Sequence, residues 1–347
     1  MKEMKKRCDL PEKVLVKGPN WLGDALLSFP AVSALKALFP DSRLEVLSRR
    51  PLDDLWGLHP AVDRVIGYQV PSGIRRVGME FALGRDLRKQ GFDIYLALPR
   101  SFSSALIGFW AGIPVRVGYS SEGRGRLLTE RVPRDDGVLR LHRSDYYMQL
   151  IRRLGEVFRP PPVSLKVPEE ERRWAERTIR SLGIEGDFVG FNPGATYGEA
   201  KCWFPERFAE LGKRLVKEGI KVVIFGTLPE KELNERISQE IGEGCFDLTG
   251  RTTIRQLLAL LERARLLVTN DTGTMHAAAA VGTRVVAIFG STDPAVTSPL
   301  GEGHRVIYHR LPCSPCLKRT CPCGHNRCMD LVTVQQVYEA VQEGLGS

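Results

Sequence analysis

No stretch of the 347 residues approaches 18 uncharged apolar residues, so the chain offers no membrane-spanning helix. The opening run MKEMKKRCDLPEK is basic but has no apolar run behind it. It does not read as a secretory leader, and a cytoplasmic protein is the expectation. No short repeat or low-complexity tract occurs, and no recognised nucleic-acid-binding motif is present. Hydrophobic residues make up 43% and charged residues 26%, close to the globular average. Disorder and collagen-like composition are therefore excluded as descriptions of the whole chain. At this length, two domains with sizeable cores are expected.

Charge is unevenly placed. Residues 1–165 hold 27 Lys+Arg and 18 Asp+Glu, while residues 166–347 hold 23 of each. The whole excess of +9 sits in the first half. Such a bias points to an anionic partner there, against the plainer reading of a solvated basic surface.

The chain reads strand, helix, strand from KVLVK (13–17) onward, with apolar rather than alternating strands. That rhythm favours a parallel sheet covered by helices on both faces. LDDLWGLHPAV (52–62) is read as a helix, and DIYLALPR (93–100) as a strand. A stretch with Pro160, Pro161, Pro162 and Pro168 (159–171) reads as a linker. The rhythm then restarts with FVGFNPG (188–194) and closes on the helix VTVQQVYEAVQEGL (332–345). The expected fold is α/β, with two halves bounded at 1–160 and 161–347. Each has its own parallel sheet, with ligands at the carboxyl ends of the strands and in the cleft between the halves.

Four strand-to-helix loops carry chemistry. GPNWLGDALLSFP (18–30) follows the first strand and matches neither the P-loop nor the G-x-G-x-x-G pattern. Its Asp24 reads either as a helix N-cap or as a carboxylate available for general base work. NPGATYGEAKCWFP (192–205) is a donor-rich loop whose Thr196 and Lys201 suit a diphosphate, against a surface loop in which Trp203 simply packs. VTNDTGTMHAAAAVG (268–282) enters an Ala-rich helix with Asp271 or Thr272 as cap. The amides of Thr272, Gly273 and Thr274 lie at its positive end, with His276 in the first turn. VVIFGTLPEKE (222–232) places Glu230 after a strand, as a ribose ligand or as an ordinary acidic residue at a helix start. A fifth cluster holds Cys313, Cys316, Cys321, Cys323 and Cys328 around His325. The spacing leaves a structural metal, free thiols or a redox cluster open. Cys8, Cys202 and Cys245 are scattered.

Taken together, GPNWLGDALLSFPAVSAL, PRSFSSALIGFWAGIPVRVGY, NPGATYGEAKCWFPERFAEL, TNDTGTMHAAAAVGTRVVAIFGSTDP and CSPCLKRTCPCGHNRCM resemble glycosyltransferase family 9. These are the bacterial heptosyltransferases of lipopolysaccharide core assembly, and the likeness is greatest to the heptosyltransferase II branch. The resemblance implies a GT-B fold, two Rossmann-like domains facing a central cleft. The first domain would take a lipid A–Kdo–heptose acceptor and the second ADP-heptose, and the last helix would pack back on the first domain. It implies inversion at the anomeric carbon, with no cofactor and no metal in the chemistry. Asp24 matches the catalytic aspartate. Thr196 and Lys201 match the diphosphate loop, and Asp271, Thr272, Gly273, Thr274 and His276 match the second donor loop. Glu230 matches the ribose glutamate, with Glu232 as the alternative register. Arg100, Arg124 and Arg126 are the expected acceptor ligands, and weak electrostatic attraction to the inner membrane face follows. No nucleic-acid partner is expected. The rivals are another sugar-nucleotide enzyme, such as heptosyltransferase I or a 2-epimerase, and a non-enzymatic polyanion binder.

Overall fold

A computed structural model describes residues 10–69, 73 and 75–346. The chain forms two compact units that divide between Val163 and Ser164. Cys8 lies outside the described residues.

In the first unit, β1 (Lys13–Lys17), β2 (Arg43–Arg49), β3 (Arg64–Tyr68), β4 (Ile94–Ala97), β5 (Val115–Tyr119) and β6 (Glu130–Val132) form one parallel sheet in the order β3-β2-β1-β4-β5-β6. Its helices are α1 (Leu22–Leu38), α2 (Asp53–Trp56), α3 (Arg75–Arg88), α4 (Phe102–Trp110), α5 (Asp136–Arg140) and α6 (Arg143–Arg152). Val14, Leu15 and Val16 of β1 are wholly buried, as the run of consecutive apolar residues requires of a strand covered on both faces. Leu15, Leu47, Tyr95 and Ala97 from three neighbouring strands meet Ile107 of α4 in one core. The helix expected over 52–62 closes after the single turn of α2. Gly57 costs helix stability, and Pro60 has no N–H to continue the ladder.

The second unit repeats the plan. Strands β7 (Phe188–Asn192), β8 (Lys221–Ile224), β9 (Cys245–Asp247), β10 (Leu266–Asn270), β11 (Arg284–Phe289) and β12 (Arg305–Tyr308) pair in parallel in the order β12-β11-β10-β7-β8-β9. Around them lie α7 (Glu169–Ser181), α8 (Pro205–Lys217), α9 (Lys231–Ile241), α10 (Ile254–Arg263), α11 (Gly273–Ala280), α12 (Pro294–Thr297), α13 (Arg327–Asp330) and α14 (Val334–Gly346). Both β7 and β10 are buried along their whole length. α8 ends as its KEG sequence dictates. Gly219, at φ +84°, lets Ile220 N–H reach the Leu215 carbonyl at 3.0 Å and its own N–H reach Val216 at 2.9 Å. Val337 and Val341 of α14 join the core of this unit, where the helix packs against α8.

Read from its own first strand, each sheet runs 3-2-1-4-5-6, the doubly wound order. Strand order reverses between β1 and β4, and again between β7 and β10. Loops leaving the carboxyl ends of those strands are where such folds bind ligands. They carry Asp24, Arg100, the 193–201 loop and the start of α11.

Candidate functional site

Asp24 is not the cap of α1. Trp21 holds that position, and Asp24 is the third residue of the first turn. Its carboxylate is instead held by α6, which packs along α1. Tyr147 Oη donates to Asp24 Oδ1 at 3.1 Å, and Arg143 Nε stands 3.8 Å from the same oxygen. The Asp24 side chain keeps 38% exposure, so part of the carboxylate faces solvent. Burial, and next the charge of Asp24, push the Tyr147 hydroxyl well above its ordinary range, so it stays a donor. Neither Arg143 nor Tyr147 stands out in the sequence, because each lies more than a hundred residues from Asp24.

Lys17, at the end of β1, is fully buried. Its ammonium donates to the Gly18 carbonyl at 2.6 Å and to Asn20 Oδ1 at 3.4 Å. Burial first, and the Arg49 charge second, lower its pKa to about 7. In the sequence Lys17 is one of two lysines at the ends of KVLVK, and nothing in that pattern signals its burial.

The three expected acceptor arginines separate. Arg100 and Arg126 are exposed. Arg124 is fully buried, and this departs from its expected role. Its guanidinium donates to the Tyr119 carbonyl at 2.8 Å, to Ser101 O at 3.3 Å, to Ser104 Oγ at 2.9 Å and to Pro99 O. The Pro99 and Ser101 carbonyls flank Arg100, so Arg124 shapes the loop that presents it. Arg100, Arg134 and Arg143 form an electrostatic cluster around Tyr146, which lies beside Tyr147 on α6.

In the second unit the end of β10 organises the 193–203 segment. Buried Asn270 accepts from Trp203 N–H at 3.0 Å and donates to the Pro193 carbonyl. Trp203 packs in the core, its indole donating to Val332 O at 2.9 Å. Lys201 and Asp271 form a nearly buried pair, with Nζ 2.6 Å from Oδ2 and 3.3 Å from the Asp271 carbonyl. The same Oδ2 accepts from Thr292 at 2.7 Å and from Thr297 at 3.4 Å. Asp271 therefore positions Lys201 and does not cap α11. An ammonium has three donors, and two are spent here. Lys201 Nζ also lies 5.2 Å from the Tyr197 ring centre, and the Arg319 guanidinium lies 5.4 Å from it. Arg319 is thus a further cation on this loop, contributed by the Cys-rich segment.

Thr272 stands at the N-cap position of α11, followed by Gly273 and Thr274 in the first turn, with His276 buried behind them. The first amides of a helix have no partner within it, and its dipole adds positive potential there. Thr196 is exposed on the neighbouring loop. Glu230 Oε2 accepts from Thr227 N at 2.6 Å and from its hydroxyl at 2.8 Å. Glu230 Oε1 faces Gly194 so closely that a Cβ there would stand 2.1 Å from it. Glu232 is exposed two residues on. Of the two, Glu230 lies against the 193–201 loop, at the end of the second strand of its sheet. That is where doubly wound folds carry their ribose-binding acid.

The first unit thus holds a carboxylate flanked by a phenol and arginines, and the second holds cations and helix amides beside an acid. This is the equipment of a sugar-nucleotide transferase. The family profile "Glycosyltransferase family 9 (heptosyltransferase)" matches residues 80–326. Lipopolysaccharide heptosyltransferase 2 of Escherichia coli K12 is 33% identical over 94% of this chain and 97% of its own length. Lipooligosaccharide heptosyltransferase 2 of Haemophilus influenzae is 30% identical over 85% and 88%. The solved E. coli ADP-heptose LPS heptosyltransferase II superposes with a TM-score of 0.82 at 30% identity, covering 96% of this chain and 98% of that one. A family 9 structure from Veillonella parvula, at 22% identity, shares the fold with a TM-score of 0.87 over 96% and 97%. The chain belongs to glycosyltransferase family 9, the heptosyltransferases, and is a glycosyltransferase of two Rossmann-like α/β units with parallel sheets.

Proposed function

We propose that the protein moves heptose from ADP-heptose to the heptose-bearing inner core of lipopolysaccharide, lipid A–Kdo–heptose, inverting the anomeric centre. The observation that carries this reading is the likeness to enzymes named lipopolysaccharide heptosyltransferase 2 over nearly the full length of both chains.

Asp24 is the general base, taking the proton of the acceptor hydroxyl as its oxygen attacks the anomeric carbon. Tyr147 and Arg143 support that role by fixing the carboxylate. In-line attack with inversion needs one base opposite the leaving ADP and no covalent partner. The leaving diphosphate is met by Lys201, Thr196, His276 and the amides of Thr272, Gly273 and Thr274. Cations and a helix dipole supply there the neutralisation that other transferases draw from a metal. Asp271 holds Lys201 in place, and Glu230 binds ribose hydroxyls. Arg100 and Arg126, joined by Arg134 and Arg143, bind acceptor phosphates and Kdo carboxylates through guanidinium forks. Arg124 is a positioning residue for that group. Among the described residues no helix is long and apolar enough to cross a membrane. We place the enzyme in the cytoplasm, held electrostatically at the inner membrane face where its lipid acceptor lies.

The test is mass spectrometry of a truncated lipid A–Kdo–heptose acceptor incubated with ADP-heptose. One added heptose is expected. Release of ADP with no gain in acceptor mass, or turnover only of a UDP-sugar, overturns the reading.

A further inference from the structure

The Cys-rich segment between β12 and α13 lies on the 193–201 loop. Ala200 N–H donates to the Arg319 carbonyl at 2.9 Å, and Tyr197 Oη donates to Leu317 O at 3.1 Å. Gly198, at φ +156°, is required there, since a Cβ would stand 2.5 Å from the Arg319 carbonyl oxygen. Within the segment, the sulfurs of Cys313 and Cys323 and a ring nitrogen of His325 lie within 4.8 Å of one another, and all three residues are exposed. Cys316, one C-x-x-C step from Cys313, is an electrostatic neighbour of both Cys323 and Cys328. The turn carrying Cys323 and His325 closes around Cys321. Gly324 N–H donates to the Cys321 carbonyl at 3.1 Å, and the amides of Cys323, Gly324, His325 and Asn326 point at the Cys321 sulfur.

We propose that Cys313, Cys316, Cys323 and His325 form a tetrahedral Zn²⁺ site that fastens residues 313–326 against the 193–201 loop. Thiolate and imidazole are the zinc donor set, and a C-x-x-C step is a common spacing for it. With Zn–S about 2.3 Å and Zn–N about 2.0–2.1 Å, tetrahedral sulfur and nitrogen ligand atoms stand roughly 3.5–3.8 Å apart, so a closure of about 1 Å brings Cys313, Cys323 and His325 to bonding distance, and Cys316 closes the fourth position. Two thiols release protons as zinc binds at Cys313 and Cys323, and a third at Cys316. The His325 ring is held by Arg327 N–H, which donates to Nδ1 at 3.1 Å. Coordination through Nδ1 replaces that hydrogen bond, and coordination through Nε2 moves the ring proton to Nδ1, so the bond is exchanged either way. The zinc is structural. Its bearing on turnover runs through Arg319 and Gly198 to the donor loop and rests on the function proposed above, whereas the site itself does not.

The experiment uses the full chain purified under reducing conditions, stripped with a chelator and reloaded with Zn²⁺ alone. About one zinc per chain by elemental mass spectrometry is expected. Reloading with Co²⁺ should give the visible absorption of a thiolate-bound cobalt centre. Cys313→Ser, Cys323→Ser and His325→Ala should each lose most of the metal, while Cys245→Ser on β9 keeps it. Thermal melting identifies any variant that has merely unfolded. If the reduced wild-type chain melts cooperatively yet stays metal-free after reloading, the proposal fails. It fails equally if Cys313 and Cys323 are found joined as a disulfide in freshly purified protein, or if Cys245→Ser loses zinc as fully as Cys323→Ser. Zinc bound by a chain that transfers no heptose would sink the functional reading and leave the metal site standing.

Discussion

A side chain's partners decide what it is able to do, and Asp24 shows this most directly. Because Trp21 occupies the cap position, replacing Asp24 by Asn removes no cap, and an amide oxygen still accepts from Tyr147. Asp24→Asn should therefore fold and bind ADP-heptose normally while losing on the order of 10²–10⁴-fold in turnover. Near-wild-type turnover in a single-time-point transfer assay would rule out the base. His59 gives a stability forecast. It is buried, with Nε2 3.2 Å from the Phe29 carbonyl, and its Nδ1 accepts from Ala61 N–H at 3.0 Å. Burial lowers its pKa from 6.5 to about 4. Between those values the unfolded chain binds a proton that the folded chain does not, so stability falls as pH drops from 6.5 to 4. The loss should be about 3 kcal/mol. Urea denaturation at pH 7, 5.5 and 4 measures it. His59→Gln lowers the starting stability but should flatten the slope, because the titrating group is gone. Equal slopes in the two proteins would assign the acid sensitivity to other groups.

At the scale of elements, the second unit depends on the end of β10 holding the segment after β7. Asn270 is the clamp, and both ends of its amide are committed to backbone 67 and 77 residues away. Asn270→Ala leaves a buried N–H and a buried C=O unpaired, at a cost of about 2–4 kcal/mol. It should also raise the donor KM by loosening Lys201. Chemical denaturation and ADP titration test the two effects separately, and a variant as stable as wild type would show that the loop is held elsewhere. The central strands were legible because β1, β7 and β10 are continuous apolar runs, a pattern that only doubly covered parallel strands require. The edge strands β6 and β9, at three residues each, carry too little pattern to read. Helix α6 was missed as well, since RSDYYMQLIR mixes charge and aromatics. Its Tyr147 meets Asp24 only through tertiary packing. Arg124 misled for the opposite reason. In SSEGRGRLL it looks like a loop cation, and its burial depends on carbonyls that the end of β5 and the 99–101 loop bring to it.

For the whole molecule, the dominant feature is a +9 charge confined to residues 1–165 beside a neutral remainder. A surface of that sign is drawn to acidic lipid headgroups, at about 1 kcal/mol for each Lys or Arg close to the bilayer. Fold stability does not require it, because solvent-exposed ion pairs contribute only about 0–1 kcal/mol. The charge should therefore be visible as binding. Full-length protein should sediment with vesicles containing phosphatidylglycerol and not with neutral vesicles. Binding should fade as salt rises from 0.1 M to 1 M, where the Debye length shortens from about 10 Å to about 3 Å. Arg100 and Arg126 are both exposed, so reversing them to Glu should leave melting unchanged. Removing two cations near the surface should weaken vesicle binding by at least about 2 kcal/mol, roughly thirty-fold, and reversal adds repulsion to that loss. The acceptor's phosphates and carboxylates meet the same side chains in the proposed mechanism, so the acceptor KM should rise far more than the donor KM. Vesicle binding lost with acceptor kinetics intact would make these arginines a membrane contact only. Acceptor kinetics lost with vesicle binding intact would confine them to the site. If neither changes, the positive charge of the first half does its work through other residues, and the arginine assignment falls.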